Sequence, residues 1–86
     1  MRLSEYHKRI NISYGDLCEE LVEQYLVMKY ITPSDVILEI GGNIGRVSCL
    51  LSTIIDNGNN LLVLESDKLS YKKLLQNKMQ NNLHFL

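Results

Sequence analysis

Two short apolar runs in this chain each deliver a carboxylate near their end, and the first run also opens into a glycine-rich turn. Glu39 lies near the end of the first run, the turn follows as residues 41–45, and Glu65 ends the second run. A glycine turn that leads into a helix presents backbone N–H groups, which favour phosphate or carboxylate groups. A carboxylate at the end of the next strand accepts hydrogen bonds from ribose hydroxyls. These residue types and their spacing predict a crevice for a nucleoside-containing ligand.

The segments on either side of the turn predict the elements that position it. Val36 to Ile40 is a short apolar run that contains β-branched residues and is interrupted only by Glu39, which is typical of a strand covered on both faces in a parallel sheet. Leu61 to Leu64 predicts a second strand, and residues 56–60 form a turn before it. Between the glycine turn and residue 56, apolar residues recur at three- and four-residue spacing and predict a helix: Val47, Leu50, Leu51, Ile54 and Ile55.

A further helix is predicted after the second strand. Ser66 or Asp67 is suited to cap it, and Asp67 is more simply a cap than a ligand. One side of this helix is apolar, with Leu69, Tyr71, Leu74, Leu75 and Met79. We expect the other side to be solvated, with Lys68, Lys72, Lys73, Gln76 and Asn77. Asn81 and Asn82 then form a turn, and residues 83–86 begin a third strand.

The chain before the first strand divides into a polar segment and a helix. Residues 1–15 are polar and weakly patterned, so we treat them as an N-terminal segment and residues 16–86 as the partial domain. Asp16 with Glu19 three positions later forms a capping-box-like start, which predicts a helix from about Leu17 to Tyr30. Pro33 ends that helix.

The order helix, strand, helix, strand, helix, strand predicts an α/β fold, the N-terminal half of a Rossmann-like, doubly wound parallel sheet. Strand–helix–strand crossovers are nearly always right-handed, so the strand order is 3-2-1. In such sheets ligands bind outside the carboxyl ends of the strands, where Glu39, the turn and Glu65 fall. Within the turn, Asn43 is the non-glycine residue that best tolerates a left-handed backbone. The first strand would have an open edge, through which we expect association with another chain.

The spacing of the glycines argues against two known nucleotide-binding motifs, the dinucleotide fingerprint and the P-loop. A dinucleotide fingerprint aligned on Gly41 needs glycine at two positions that Asn43 and Arg46 occupy. A P-loop needs Gly-Lys-Ser/Thr, and none follows the turn. Arg46 is most simply a solvated residue of the first helical turn. Arg46 also argues against a nucleotide-dependent oxidoreductase, which is the third and least favoured hypothesis.

The turn Glu39-Ile40-Gly41-Gly42-Asn43-Ile44-Gly45, paired with Glu65, resembles motifs I and II of the class I S-adenosylmethionine-dependent methyltransferases. Its Gly-x-Asn-x-Gly form looks most like the FkbM-type enzymes, and the resemblance covers Asp35 to about Asn82. The resemblance implies that the cofactor S-adenosyl-L-methionine is bound by Glu39, Gly41, Gly42, Asn43, Gly45, Glu65, Ser66 and Asp67.

The resemblance also implies a role for each of these residues. Glu39 and the glycine turn would border the methionine and sulfonium end of the cofactor, Glu65 would bind the ribose hydroxyls, and Ser66 and Asp67 would line the adenine side. The family's catalytic and substrate-binding half has no counterpart up to Leu86. We therefore expect transfer of a methyl group to an unidentified acceptor, or else a truncated, non-catalytic remnant that serves as an interaction module.

Charge, cysteine and histidine positions and segment length limit the kinds of partner and compartment that we expect. The chain has 9 Lys and Arg against 10 Asp and Glu, a net charge of −1, which argues against a dedicated nucleic-acid-binding module. Cys18 and Cys49 lack metal-binding spacing and are interpreted as small buried hydrophobic residues. His7 and His84 have no partner at metal or catalytic spacing, so no metal site is predicted. No segment approaches the length of a membrane span, and we expect a soluble, cytoplasmic protein.

Overall fold

The sheet of this protein has two parallel strands, β1 (Ile37–Ile40) and β2 (Leu61–Leu64), with Ile37 opposite Leu61 and Ile40 opposite Leu64. A computed structural model describes residues 2–86. The helices are α1 (Leu3–His7), α2 (Leu21–Tyr30), α3 (Arg46–Ile54) and α4 (Lys68–Gln80), and a 3₁₀ turn (Gly58–Asn60) precedes β2. The small mixed α/β class and the second strand are confirmed, while β1 begins one residue later than predicted.

Residues 83–86 do not form the predicted third strand, but the chain does approach β2 there. The Leu86 N–H donates to the Leu61 carbonyl at 2.9 Å, and the Val63 N–H donates to the Leu86 carbonyl at 2.8 Å. Because backbone groups of successive strand residues point to opposite sides, these bonds lie on the side of β2 away from β1. One residue is thus in parallel pairing with β2.

The core lies on one side of the sheet and is organised around α3. Leu51 and Leu61 pack in a buried cluster with Ile55, Leu74 and Phe85. Leu50 and Cys49 belong to a second cluster, on the side of α3 that faces α1. The apolar stripe that the sequence predicted for α3 is therefore buried. Cys49 is fully buried as predicted, whereas the prediction for Cys18 is wrong, because this residue is exposed in the turn before α2.

The described residues, 2–86, cover one face of the sheet and leave the other exposed, so the prediction of a strand buried on both faces is wrong. Ile37 and Val63 point to the helices and pack against the core. Leu38 and Ile40 point the other way and are 57% and 78% exposed. The crossover from β1 to β2 through α3 covers a single face, which leaves the opposite face apolar and open.

The N-terminal segment contains structure that the sequence pattern did not predict. Helix α1 places Leu3 in the core, and Ile10 follows it, both packed with Cys49 and Leu50. These apolar residues are few and lie among charged ones, yet α3 offers them an apolar surface. Residues 2–10 are therefore packed against the domain.

Helix α2 begins four residues later than predicted, and Asp16 with Glu19 is not its capping box. The Asp16 carboxylate accepts from the Cys18 N–H at 2.8 Å and closes a turn, while Glu20, with φ of 57°, precedes the helix. The buried residue of α2 is Gln24, whose amide nitrogen donates to the carbonyls of Leu17 and Glu19 at 2.8 Å. The Gln24 amide thus fixes the turn that precedes α2, and no side chain caps the helix.

The start of α4 is as predicted, but the face it buries is not. The Asp67 carboxylate accepts from the Ser70 N–H at 2.9 Å and caps the helix. Leu69 and Met79, predicted on the apolar side, are 62% and 70% exposed. Asn77, predicted to be solvated, is fully buried.

The buried Asn77 side chain holds residues 11–16, which we call the N-terminal strap. Its amide oxygen accepts from the N–H groups of Ser13 and Tyr14 at 2.7 and 3.3 Å, and its amide nitrogen donates to the Ile44 carbonyl at 2.9 Å. One turn later, Asn81 accepts from the Asn11 N–H at 2.7 Å and donates to its carbonyl at 2.5 Å. Two side-chain amides, Asn77 in α4 and Asn81 just after it, therefore hold the backbone of the strap.

Within the described residues, no helix combines the length and the apolar composition that crossing a bilayer requires.

We predict that Asn77→Ala lowers the free energy of unfolding by about 3 kcal/mol, because it leaves the buried Ile44 carbonyl without its partner and removes the bonds to the N–H groups of Ser13 and Tyr14. Urea denaturation followed by circular dichroism measures this change. Gln76→Ala, at the exposed neighbouring position, is the matched control and should change the free energy by less than about 0.5 kcal/mol. Equal effects of the two substitutions would contradict the assigned role of Asn77.

Candidate functional site

The glycine turn bends sharply over the carboxyl end of β2. The N–H groups of Gly41 and Gly42 both donate to the Leu64 carbonyl, at 2.8 and 3.0 Å. Gly41 has φ of 81° and Asn43 has φ of 54°, both in the left-handed region. This backbone path agrees with the predicted use of glycine and asparagine in the turn. The turn is therefore fixed by the end of the second strand rather than being a free loop.

The Glu65 carboxylate joins the turn to the start of α4. One oxygen accepts from the Asn43 N–H at 2.7 Å, and the other accepts from the Asp67 N–H at 2.8 Å. An ionised carboxylate offers about four acceptor positions, so two of them stay available after these bonds. Glu65 is only partly buried. It can therefore accept further hydrogen bonds from hydroxyl groups of a ligand while it holds the turn.

The turn is closely packed on one side and open on the other. A Cβ at Gly42 would overlap Val63 and would lie 2.7 Å from Cδ1 of Leu74, and a Cβ at Gly45 would lie 3.3 Å from Cγ of Leu74. A Cβ at Gly41 would have no neighbouring atom within 4 Å. A ligand can thus approach the turn from the open side, where the backbone of Gly41 is accessible.

Glu39 lies beneath the first turn of α3 and takes no part in the hydrogen bonds that Glu65 makes. The Ser48 hydroxyl donates to the Glu39 carboxylate at 2.5 Å, and Ser48 is fully buried. Burial raises the pKa of Glu39 above its ordinary value; the Ser48 hydrogen bond opposes this shift, and the Glu20 carboxylate adds to it. Glu39 therefore supports the start of α3 through Ser48.

Arg46 is not the solvated residue that the sequence predicted. It is buried, with 6% exposure, and its Nε donates to the Asp16 carbonyl at 2.6 Å. Its guanidinium also pairs with Glu19 at 2.8 Å and with Glu20 at 3.4 Å. A cation at a helix N-terminus opposes the helix dipole, and these two carboxylates offset that cost. Arg46 thus ties the strap and the turn before α2 to the start of α3.

Gly15 allows the strap to lie against the glycine turn. Its φ is 82°, and a Cβ there would overlap the Ile44 side chain and lie 2.7 Å from a terminal guanidinium nitrogen of Arg46. Only glycine combines that backbone angle with so close an approach. The strap therefore borders the candidate site directly.

The structure brings together most of the predicted site residues, but it does so through hydrogen bonds that the sequence did not predict. Asn43, Glu65 and Asp67 are linked as described, and Ser66 lies exposed between the last two. Glu39 is bonded to Ser48 instead. The sequence prediction missed the roles of Gly15, Ser48 and Asn77. Two features of the sequence indicated that Arg46 has partners: its place at a helix N-terminus, where a cation is unfavourable, and the adjacent acids at 19 and 20.

Other chemistry is not supported by the described part of the chain. Residues 2–86 contain no group of three His, Cys, Asp or Glu side chains that could hold a metal ion. Burial, with a further contribution from the Glu39 carboxylate, raises the pKa of the Cys49 thiol to about 12. A thiol with that pKa stays protonated at neutral pH and is a poor nucleophile.

A small cavity adjoins the site on the side of α4. It has a volume of about 100 Å³, and its lining includes Glu65, Tyr71, Lys78 and Phe85. Ligand pockets usually measure roughly 300–1,000 Å³, so this cavity is too small for a nucleoside. The open side of the turn at Gly41 is the better candidate.

Comparison of the chain with protein-family models, curated proteins and solved structures found no significant match to any of them.

We predict that Glu39→Gln removes a pH-dependent loss of stability. Because the pKa of Glu39 is raised in the folded protein, the folded state binds more protons than the unfolded state just above the ordinary glutamate pKa. This contribution to stability is therefore fully present below that pKa and is lost as the pH rises through the folded-state pKa. The difference between wild-type and Glu39→Gln free energies of unfolding, measured across this range, should fall with rising pH. A constant difference would contradict the assignment.

Proposed function

We propose that this protein binds S-adenosyl-L-methionine as the cofactor-binding half of a Rossmann-like, FkbM-like methyltransferase domain. The observation that carries the proposal is the Glu65 carboxylate at the end of β2, bonded to the Asn43 N–H of the glycine turn that follows β1. The two sequence features that resemble the methyltransferase motifs are thus in direct contact at the carboxyl ends of adjacent parallel strands. That is the position at which nucleoside ligands bind in doubly wound sheets.

The topology supports the Rossmann-like part of the proposal. Strands β1 and β2 are parallel and joined through α3. Leu86 pairs with β2 on the side away from β1, as a third strand in the order 3-2-1 would. A strand continuing from that pairing would complete half of a doubly wound sheet.

The residues around the turn fit the cofactor. The space beside Gly41 leaves the backbone accessible to the methionine portion, and the N-terminus of α3 favours its carboxylate. The acceptor positions left on Glu65 suit two ribose hydroxyls. Ser66 and Asp67 are exposed at the start of α4 and would line the adenine side. The bound cofactor would supply an electrophilic methyl group on its sulfonium.

Under this proposal Glu39 and Arg46 shape the site. Glu39 orients the first turn of α3 through Ser48, and Arg46 fixes the strap beside the glycine turn. Both act on the elements that carry the cofactor contacts, so each is a positioning residue.

A second candidate is a non-catalytic module that binds the cofactor without transferring its methyl group. One observation favours it: Glu39 is committed to Ser48, and Glu65 to two backbone N–H groups. Neither carboxylate has the freedom expected of a general base that activates an acceptor. Incubation with the methyl-labelled cofactor and a panel of hydroxyl and amine acceptors separates the two candidates, since label transfer would reject this one.

We predict that isothermal titration calorimetry detects binding of S-adenosylmethionine or S-adenosylhomocysteine to the purified chain. Glu65→Gln should weaken binding at least about tenfold, because it removes the charge from the hydrogen bonds to the ribose. The glutamine oxygen can still accept from the Asn43 N–H, whereas its NH2 group cannot accept from the Asp67 N–H. Circular dichroism therefore checks that the variant keeps its fold before binding is compared.

The control for this measurement is Asp56→Asn, which removes the same charge from an exposed acid beyond the other end of α3. It should leave the dissociation constant unchanged. An absence of binding by the wild-type chain would overturn the proposal, and equal weakening by both variants would remove Glu65 from the site.

A further inference from the structure

One face of the two-stranded sheet is apolar, and no helix among residues 2–86 covers it. We call this the open sheet face. It consists of side chains that alternate with the core-facing ones along each strand, and six residues form it: Val36, Leu38, Ile40, Leu62, Leu64 and Leu86. Their exposed fractions are 81%, 57%, 78%, 45%, 48% and 61%, respectively.

These side chains form one continuous patch. Leu38 lies opposite Leu62 and Ile40 lies opposite Leu64 in the register of the sheet. Leu86 is paired with β2 at Leu62, so its side chain lies on the same face, while Phe85 points into the core. A contiguous apolar patch of several hundred Å² is large for a small monomer and marks an interaction surface.

We infer that the open sheet face is the docking surface for a second copy of this chain, which forms a two-fold symmetric dimer with the sheets packed face to face. This inference does not depend on the proposed cofactor. In such an arrangement each sheet supplies the missing second layer for the other, at the spacing of about 10 Å found in β-sandwiches.

The chemistry of the face favours a second copy over a different partner. None of its six side chains is charged or polar, so no side chain of the face would select a partner by hydrogen bonds or charge. A two-fold interface needs only a surface complementary to itself, and homodimer interfaces are the most apolar class. The net charge of −1 gives two copies little reason to repel each other.

The extent of the face matches what a dimer requires. Six large side chains, each about half exposed or more, would bury on the order of 600 Å² on each copy, close to the roughly 800 Å² per partner of standard interfaces. The backbone of β1 borders the face at the edge of the sheet and can add contacts at the rim.

The outer side of α2 is the main competing surface. Val22, Tyr25, Leu26 and Tyr30 are exposed there. Charged side chains interrupt this surface, and the Lys29 amine lies 5.3 Å from the centre of the Tyr30 ring. An interface there would have to bury or displace that cation, which the open sheet face does not require.

Sedimentation equilibrium of the full chain tests the proposal. From about 1 µM to about 100 µM the mean mass should rise from the 9.9 kDa of one chain toward twice that value. Leu38→Lys on β1 and Leu62→Lys on β2 each place a charge in the interface and should raise the dissociation constant at least about 100-fold. Leu62 lies on the strand away from the open edge, so its effect distinguishes face packing from edge pairing.

Two controls carry the same charge change elsewhere. Met79→Lys on α4 and Val22→Lys on α2 replace exposed apolar residues outside the face and should leave the dimer intact. A wild-type chain that stays monomeric over this range overturns the proposal. So does a dimer that survives both face variants, or one that is lost through Val22→Lys alone.

The fold of each variant is checked by circular dichroism. If a lysine variant unfolds, the double variant Leu62→Thr with Leu64→Thr replaces it, because threonine suits strands and is polar. This variant should be folded and monomeric at about 100 µM. A folded dimer of the double variant would contradict the proposal.

Discussion

The hydrogen bond from the Asn43 N–H to the Glu65 carboxylate is the contact on which the candidate site depends. It links the segment that follows β1 to the segment that follows β2, and the second oxygen of Glu65 holds the start of α4. The carbonyl at the end of β2 receives two further N–H groups of the turn. Without these bonds the turn would carry exposed donors and no fixed direction. The ends of the two strands and the starts of α3 and α4 are therefore positioned together.

A network of buried polar side chains surrounds this contact. It joins segments that an apolar core would hold together in a larger chain. Asn77 holds the strap to α4, and Arg46 holds the strap and two carboxylates at the start of α3. Buried polar side chains are costly unless every group has a partner, and within the described residues no buried side-chain N or O atom lacks one. Satisfied networks of this kind specify one arrangement of the segments they join. These bonds thus hold the strap in one position, with Gly15 packed against Ile44.

The features that the sequence predicted correctly are local ones. The limits of β2, the Asp67 cap and the left-handed Asn43 follow from neighbouring residues, and they agree with the structure. The features it predicted wrongly depend on partners distant along the chain. The sequence around Asn77 predicts a solvated residue, but in the structure the strap packs against it. The sequence around Arg46 predicts the same, but the acids before α2 pair with it. The later start of α2 has the same origin, because Glu19 is used by Arg46 rather than as a cap.

The covered and open faces of the sheet give the two proposed functions separate places. Glu39 and Val63 are opposite each other in the register and point toward the helices, and the site is built on that side, at the ends of the strands. The open face lies behind it and takes the alternate residues. A second copy packed there would contact the side of the sheet opposite Glu39 and Val63. Sheets gain stability when a second layer packs on them, so a second copy on the open face would stabilise β1 and β2 and, through them, the strand ends that position Asn43 and Glu65.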